Sequence, residues 1–308
     1  MNLVQSRMMK FNFSAKKPLC IDDLKDKYAQ APSQFLKMNE MEVHYRDEGI
    51  VDDKAPLILL HGFGAHLYTF NSWVERLSNE YRIIRLDLPG FGLTGAFPDA
   101  DYSTKQYTSF LKQFLDKLGV KKCIIGGNSM GGNIAWNFAL DYPDMVNKLI
   151  LINAAGFKIT NKKLLLLTQL ARIPKIDYMI RNYAPSSVFK RTMEEVYANT
   201  DRIHSKTVDR YIDLIKREGN TKAMVDISRT LEFVRDKVDP RIDEISKIKQ
   251  PILILWGQRD NILPVADAKQ FYENTPNSKL VIFDKAGHVP MEEFPKTSLV
   301  PLKKFLSE

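Results

Sequence analysis

The stretch from residue 123 to residue 132 reads Cys123-Ile124-Ile125-Gly126-Gly127-Asn128-Ser129-Met130-Gly131-Gly132. An apolar run ends in glycine, one serine stands at the junction, and glycine returns where a helical pattern begins. Gly-x-Ser-x-Gly between a strand and a helix is typical of a sharp turn that lifts the serine hydroxyl clear of the backbone. Side chains two positions to either side would collide in such a turn, so glycine is favoured there. The pattern therefore predicts a nucleophilic Ser129 beside the free N–H groups of a helix N-terminus.

Strand and helix patterns alternate on both sides of this turn. Short apolar runs predict buried strands, and amphipathic stretches between them predict helices. The predicted strands are 33–36, 41–45, 57–60, 82–88, 123–126, 148–153, 252–256 and 280–283, with a tight turn at Asn39-Glu40 between the first two. The predicted helices are 21–29, 69–79, 103–118 and 131–141, one that begins near 264 and one that ends near 306. This alternation predicts an α/β fold with a mostly parallel, twisted sheet that is covered by helices on both faces.

The alternation is interrupted once, after Gly156, and resumes at Pro251. We expect residues 157–235 to form a helical insertion that lies as a lid, or cap, over one end of the sheet. The core would then consist of residues 1–156, with a leader at 1–30, and of residues 236–308.

The insertion carries an apolar helical face with lysines and arginines beside it. This face consists of Leu164, Leu165, Leu166, Leu167, Leu170, Ile173, Ile176, Met179 and Ile180. One interpretation is a lid helix that packs on the core. The alternatives are a wall that binds an acyl group, or a surface that touches lipid aggregates.

Positive charge is concentrated in the same segment. The chain of 308 residues has a formal net charge of +8, and residues 157–230 hold 15 Lys or Arg against 8 Asp or Glu. This balance indicates either a solvated helical surface or one that meets anionic lipid or steers an acidic substrate. The sequence has no motif of a nucleic-acid-binding fold, so we expect no nucleic-acid partner.

Nothing in the sequence predicts secretion or a membrane span. No window reaches the roughly 18 consecutive apolar residues of a transmembrane helix. The basic N-terminus, residues 1–20, lacks the apolar core of a signal peptide. The two cysteines, Cys20 and Cys123, do not suggest a disulfide, because Cys123 falls inside a predicted buried strand. We therefore expect a cytoplasmic protein.

A serine nucleophile needs a base, and His288 is the strongest candidate among five histidines. It stands in Ala286-Gly287-His288-Val289-Pro290, directly after a predicted strand, and catalytic groups gather at the carboxyl ends of parallel strands. The imidazole needs a carboxylate partner, and Asp260 follows the preceding strand. Asn153 ends another strand but offers no carboxylate. We therefore expect Ser129, Asp260 and His288 to act together.

Negative charge that develops on a carbonyl oxygen needs two donors. Met130 offers its backbone N–H at the start of the helix. Phe63, in the glycine-containing loop after an early strand, is our choice for the second N–H. We also expect Gly62, Asn128 and Val289, which neighbour these groups in the sequence, to contact the substrate. His61 is expected to be structural, because it can hydrogen-bond across loops and hold this turn.

Five motifs together resemble the α/β-hydrolase superfamily. They are His61-Gly62-Phe63-Gly64, Asp87-Leu88-Pro89-Gly90-Phe91-Gly92, Gly127-Asn128-Ser129-Met130-Gly131-Gly132, Trp256-Gly257-Gln258-Arg259-Asp260 and Gly287-His288. The resemblance covers residues 35–306 apart from the insertion. It implies Ser129 as nucleophile, His288 as base and Asp260 as its partner, in the chain order of that superfamily. It also implies Phe63 and Met130 as oxyanion donors and 157–235 as the variable lid.

Differences between the motifs of this chain and those of related hydrolase families reduce the number of functions that we expect. Epoxide hydrolases and haloalkane dehalogenases carry aspartate where this chain has Ser129. Carbon–carbon bond hydrolases of aromatic degradation share the pattern around Ser129, but usually show Ser-Gly-Pro-Gly after His-Gly and tryptophan after the histidine. This chain has Phe63-Gly64-Ala65 and Val289 instead.

The expected function is therefore that of a serine carboxylesterase, which cleaves a small-molecule ester through an acyl-enzyme and prefers an apolar acyl group. The alternatives are a carbon–carbon bond hydrolase and a ligand-binding member of the fold that has lost catalysis. We expect no metal and no cofactor, because the sequence has neither a cysteine–histidine cluster nor a phosphate-binding loop with lysine.

Overall fold

A computed structural model describes residues 18–38, 40–158, 173, 186–230 and 238–308, and the structural statements below concern these residues. The leader before residue 18, the turn residue Asn39 and most of the apolar face predicted at 164–180 lie outside them. Ile173, the one member of that face inside them, is 47% exposed. Where the insertion is described, it contains three helices between the sixth and seventh strands of the chain.

One eight-stranded sheet organises the described residues. Its strands are β1 (Ser33–Met38), β2 (Met41–Glu48), β3 (Leu57–Leu60), β4 (Ile83–Leu86), β5 (Cys123–Asn128), β6 (Val146–Ile152), β7 (Ile252–Gly257) and β8 (Ser278–Phe283). They lie in the order β1-β2-β4-β3-β5-β6-β7-β8. The pairs β1–β2 and β2–β4 are antiparallel, and every other pair is parallel. The predicted α/β fold with a mostly parallel sheet is confirmed.

Helices precede, connect and follow the strands of this sheet. They are α1 (Ile21–Tyr28), α2 (Asn71–Leu77), α3 (Thr104–Lys117), α4 (Met130–Asp141), α5 (Ser186–Val196), α6 (Ser205–Ile215), α7 (Asn220–Thr230), α8 (Val265–Asn274), α9 (Pro290–Glu293) and α10 (Pro295–Ser307). Among the described residues, none of the helices combines the length and apolar character needed to cross a bilayer.

Several boundaries differ from the sequence prediction, and two of these differences have a clear physical reason. Strand β5 continues through Gly127 to Asn128, because its backbone stays paired with β6 as far as Ile152. The helix predicted to begin at Thr69 is preceded by a 3-10 turn, Leu67–Phe70. The carboxylate of Asp87 accepts the Leu67 N–H at 2.8 Å, which caps this turn ahead of the amphipathic stretch.

The central strands are the most buried part of the sheet. Every residue of β3, β5 and β7 is buried, as expected for strands covered on both faces. Because β5, β6 and β7 run parallel, the segments after them meet at one edge of the sheet. Ser129, Asn153 and Asp260 all lie in those segments.

Candidate active site

Ser129 occupies a strained turn between β5 and α4. Its backbone has φ 56° and ψ −118°, in a region that side-chain-bearing residues rarely adopt. A Cβ atom on Gly127 would lie 2.1 Å from the carbonyl oxygen of Gly131, and one on Gly131 would lie 2.3 Å from that of Leu60. The spacing of the glycines therefore follows from backbone contact within the turn.

Main-chain hydrogen bonds tie this turn to the segment after β6. Ser129 donates its N–H to the Ile152 carbonyl, and its own carbonyl accepts the N–H of Ala155, both at 3.0 Å. The oxyanion loop, residues 61–66, approaches from the other side. A Cβ on Gly62 would lie 3.1 Å from the Cβ of Ser129, which is tighter than an ordinary van der Waals contact, so glycine favours this close approach of the main chain.

The predicted base and acid are hydrogen-bonded to each other. Nδ1 of His288 lies 2.7 Å from Oδ2 of Asp260, with the two side chains 7% and 0% exposed. Oδ1 of Asp260 accepts the N–H groups of Ile262 at 2.7 Å and Leu263 at 3.0 Å. A carboxylate surrounded by donors is stabilised in its charged form and can balance a positive imidazole. Nδ1 of His288 is thereby assigned as the protonated nitrogen, which directs Nε2 away from Asp260.

Asn153 also belongs to this arrangement, although it was not predicted as a site residue because it lacks a carboxylate. Its amide donates to Oδ2 of Asp260 at 2.7 Å, and its Oδ1 accepts the N–H of Gly257 at 3.3 Å. Asn153 has a positive φ of 42°. A polar residue at the carboxyl end of a central strand was the signal that could have pointed to it.

The predicted oxyanion donors come from two neighbouring segments. Met130 follows Ser129 directly in the chain, and Phe63 follows Gly62 in the loop that lies against Ser129. Within the described residues, neither the Phe63 N–H nor the Met130 N–H donates to another protein group. Met130 is the first residue of α4, where helix geometry leaves N–H groups without an intrahelical acceptor. The Met130 side chain is buried, whereas that of Phe63 is 37% exposed and packs edge-to-face on Phe91. The two free N–H groups are chemically suited to bind an oxyanion.

Two of the three predicted substrate contacts are engaged elsewhere. The Asn128 amide is buried and donates to the carbonyls of Ile152 at 3.1 Å and His288 at 2.9 Å. Asn128 thus joins the serine turn to the base loop, residues 286–290. Val289 is 4% exposed and belongs to an apolar cluster that also contains side chains of the central strands, of α2 and of α10. Of the three, Gly62 alone lies against Ser129.

His61 has the structural contacts that the sequence predicts. Its Nδ1–H donates to the Gly62 carbonyl at 2.8 Å, and its Nε2 accepts the Leu88 N–H at 2.9 Å. Burial lowers the pKa of His61, which keeps the ring neutral and leaves Nε2 able to accept. The ring therefore fastens the oxyanion loop to the segment after β4.

A second buried Ser–His–Asp array lies beside the loops that follow β3 and β4. His44 places Nδ1 2.7 Å from Asp87 and Nε2 2.9 Å from the hydroxyl of Ser33. The His44 ring is 0% exposed, and Asp87 also accepts the N–H groups of Leu67 and Leu93. Its contacts join β1, β2 and the loops that follow β3 and β4.

No group of three or more His, Cys, Asp or Glu side chains in the described part of the chain is placed to hold a metal ion. Cys20 is exposed and Cys123 is buried, and both are free thiols.

Comparison with known proteins finds a matching family profile, similar proteins and similar solved structures. Residues 55–295, a range that includes Ser129, Asp260 and His288, match the family profile described as alpha/beta hydrolase fold. The chain is 28% identical to Lipase 3 of Moraxella sp. strain TA144, over 90% of this chain and 84% of the lipase. It is also 28% identical to 2-hydroxy-6-oxononadienedioate/2-hydroxy-6-oxononatrienedioate hydrolase of Burkholderia vietnamiensis strain G4, over 81% of this chain and 85% of that enzyme. A solved structure of a bacterial membrane phospholipase A superposes with a TM-score of 0.74 at 27% identity, over 93% of this chain and 89% of that one.

Proposed function

The chain belongs to the α/β-hydrolase family, and on that premise we propose that it is a serine carboxylesterase that works through an acyl-enzyme. The observation that carries the proposal is the 2.7 Å contact between His288 and Asp260, in loops that surround the strained turn of Ser129. Asn128, the residue before the serine, binds the main chain of His288 directly.

The proposed chemistry uses the same groups in both half-reactions, with His288 as base and then as acid in each. His288 takes the proton of Ser129 as the hydroxyl oxygen attacks the ester carbonyl, and the N–H groups of Phe63 and Met130 hold the resulting oxyanion. The C–O bond to the alcohol breaks while His288 donates the proton to the departing oxygen. Water, deprotonated by the same imidazole, then attacks the acyl-enzyme. The bond between the acyl carbon and the Ser129 oxygen breaks, His288 returns the proton to that oxygen, and the acid is released. Asp260 stabilises the imidazolium in both stages.

An apolar acyl group fits the similarity to a lipase and to a membrane phospholipase A. The excess of positive charge in residues 157–230 supports the further proposal that the insertion makes peripheral contact with anionic lipid. With or without contact to a lipid surface, the proposed substrate is a small-molecule ester.

Covalent labelling tests the proposal directly. A fluorophosphonate should form an adduct on Ser129 of the wild-type protein, located by peptide mass spectrometry, and Ser129→Ala should take no label. Turnover of p-nitrophenyl esters with short to long acyl chains should fall on the order of 10⁶-fold in Ser129→Ala, since a triad acts as a unit. Ser246→Ala, at an exposed serine, is the matched control and should behave as wild type.

Carbon–carbon bond hydrolysis is the second candidate, because the Burkholderia enzyme is as similar to the chain as the lipase is. Parallel assays on a short p-nitrophenyl ester and on a dienoate ring-cleavage product distinguish the two reactions. Faster turnover of the dienoate would replace the esterase proposal. Absence of any adduct on Ser129 would instead favour a ligand-binding protein without catalysis.

A further inference from the structure

Two consecutive carboxylates follow the base loop, and both contact the insertion. Glu293 is 1% exposed. Its Oε2 accepts the N–H of Gly287 at 2.5 Å, within the base loop. Its Oε1 accepts the N–H groups of Ala198 and Asn199, both at 3.0 Å, within the insertion. One buried carboxylate therefore bridges the residue before His288 and the segment that follows α5.

Other contacts join the same two segments. The N–H of His288 itself donates to the Val196 carbonyl at 2.9 Å, and Arg202 donates to the main-chain carbonyl of Glu293 at 2.9 Å. A Cβ on Gly287 would lie 2.6 Å from the nitrogen of Ala198, so the backbones are in direct contact. We call residues 196–202 the clamp segment.

Glu292 extends this connection to the oxyanion loop. Its carboxylate accepts the hydroxyls of Tyr197 and Tyr211, the latter at 2.8 Å. Burial, followed by the charge of Glu292, raises the pKa of both phenols well above their usual range, so both donate at neutral pH. The Tyr211 ring in turn lies 4.3 Å from the ring of His66, in the oxyanion loop. Tyr211 on α6 thus contacts both the oxyanion loop and α9, the helix that follows the base loop.

The geometry points to Glu293, assisted by Glu292, as a positioning residue: it holds His288 in register with Ser129 by fastening the base loop to the clamp segment. This inference rests on the proposed function and gives the insertion a part in the chemistry beyond contact with substrate. Its physical basis is that a shift of about 1 Å in a catalytic group can cost on the order of 100-fold in rate.

Glu293→Gln tests the inference, because glutamine keeps the size but has one acceptor oxygen in place of two. Its NH₂ group must oppose N–H donors, either at Gly287 or at Ala198 and Asn199. We expect kcat to fall about 10- to 100-fold with KM changed less than about twofold. Activity is expressed per site titrated with a fluorophosphonate, well below the melting temperature, so that loss of folded protein does not contribute.

The double variant Tyr197→Phe/Tyr211→Phe tests the same inference if Glu293→Gln does not fold. It removes only the two hydroxyls on Glu292 and leaves both rings in place, and we expect kcat per titrated site to fall at least about threefold. Tyr272→Phe, at a 48% exposed tyrosine on α8, is the control and should match wild type.

The split between kcat and KM separates positioning from stability alone. A variant that only loses stability keeps the wild-type kcat per titrated site, whereas a displaced His288 lowers kcat in every folded molecule and leaves KM nearly unchanged. Wild-type kcat per titrated site in the folded variants would overturn the inference. Failure of the wild-type protein to take the label would instead overturn the proposed function.

Discussion

The amide of Asn153 donates to Oδ2 of Asp260 across 2.7 Å, the same oxygen that faces Nδ1 of His288. The two residues follow neighbouring parallel strands, β6 and β7. Asn153 therefore fixes the direction of the carboxylate while leaving its charge intact.

Asn153→Ala should lower kcat about tenfold with little change in KM, because Asp260 keeps its charge and its other donors but loses one constraint on its orientation. Steady-state kinetics on one ester measure this effect. Asn274→Ala, at an exposed asparagine on α8, is the control. A variant as active as wild type would remove Asn153 from the site.

Asp260→Asn should be far more damaging than Asn153→Ala. The carboxylate accepts from Ile262, Leu263, Asn153 and His288, so an amide nitrogen at this position must oppose a donor. The imidazolium also loses its counter-charge. We expect kcat to fall by about 10⁴-fold with the fold retained. Full activity in a folded Asp260→Asn protein would show that another group orients His288.

Gly131→Ala should disturb both stability and catalysis. The added Cβ would lie 2.3 Å from the Leu60 carbonyl oxygen and 2.5 Å from that of His61, so the serine turn and the oxyanion loop must separate. We expect the free energy of unfolding to fall by roughly 1–3 kcal/mol. We also expect a large loss of kcat per folded molecule.

Gly119→Ala is the matched control for that substitution. Gly119 has φ 70°, and a Cβ added there would meet no atom within 4 Å, so only backbone strain changes. The substitution should destabilise the protein by roughly 1–2 kcal/mol and leave activity per folded molecule unchanged. Equal kinetic effects of the two substitutions would contradict the proposed contact between the two loops.

Asp267 should make stability depend on pH. Burial, followed by the negative charge of Asp260, raises the pKa of Asp267 from 3.8 to about 7. Between these values the unfolded chain releases the proton and the folded protein keeps it. Stability should therefore fall as pH rises from about 4 to about 7, and the full penalty persists above that range.

Asp267→Asn removes this ionisation. The melting temperature of the variant relative to wild type should increase from about pH 4 to about pH 7 and stay constant above that range, as measured by circular dichroism. Asp284→Asn, at an exposed carboxylate, is the control. Parallel curves for Asp267→Asn and wild type would contradict the raised pKa.

Local patterns were sufficient to predict the fold and the separate groups of the candidate site. Apolar runs such as Leu57–Leu60 became fully buried strands, and Ser103 caps α3 by accepting the Gln106 N–H, as its pattern predicts. His288 and Asp260 were found from their places after strands. Helix and strand ends were less predictable, because pairing with a neighbour carried β5 two residues beyond its predicted end.

The amino-acid sequence by itself determined the alternation of strands and helices, the glycine-flanked serine and the candidates for base and acid, since each depends on residues close together in the chain. Only the tertiary structure decided that Asn153 holds Asp260 and that Glu293 joins the base loop to residues 198 and 199. It likewise showed that the amide of Asn128, a predicted substrate contact, joins the serine turn to the carbonyls of Ile152 and His288. Hydrogen bonds between distant segments form once parallel strands bring their ends to one edge, and no local pattern records which donor will meet which acceptor there.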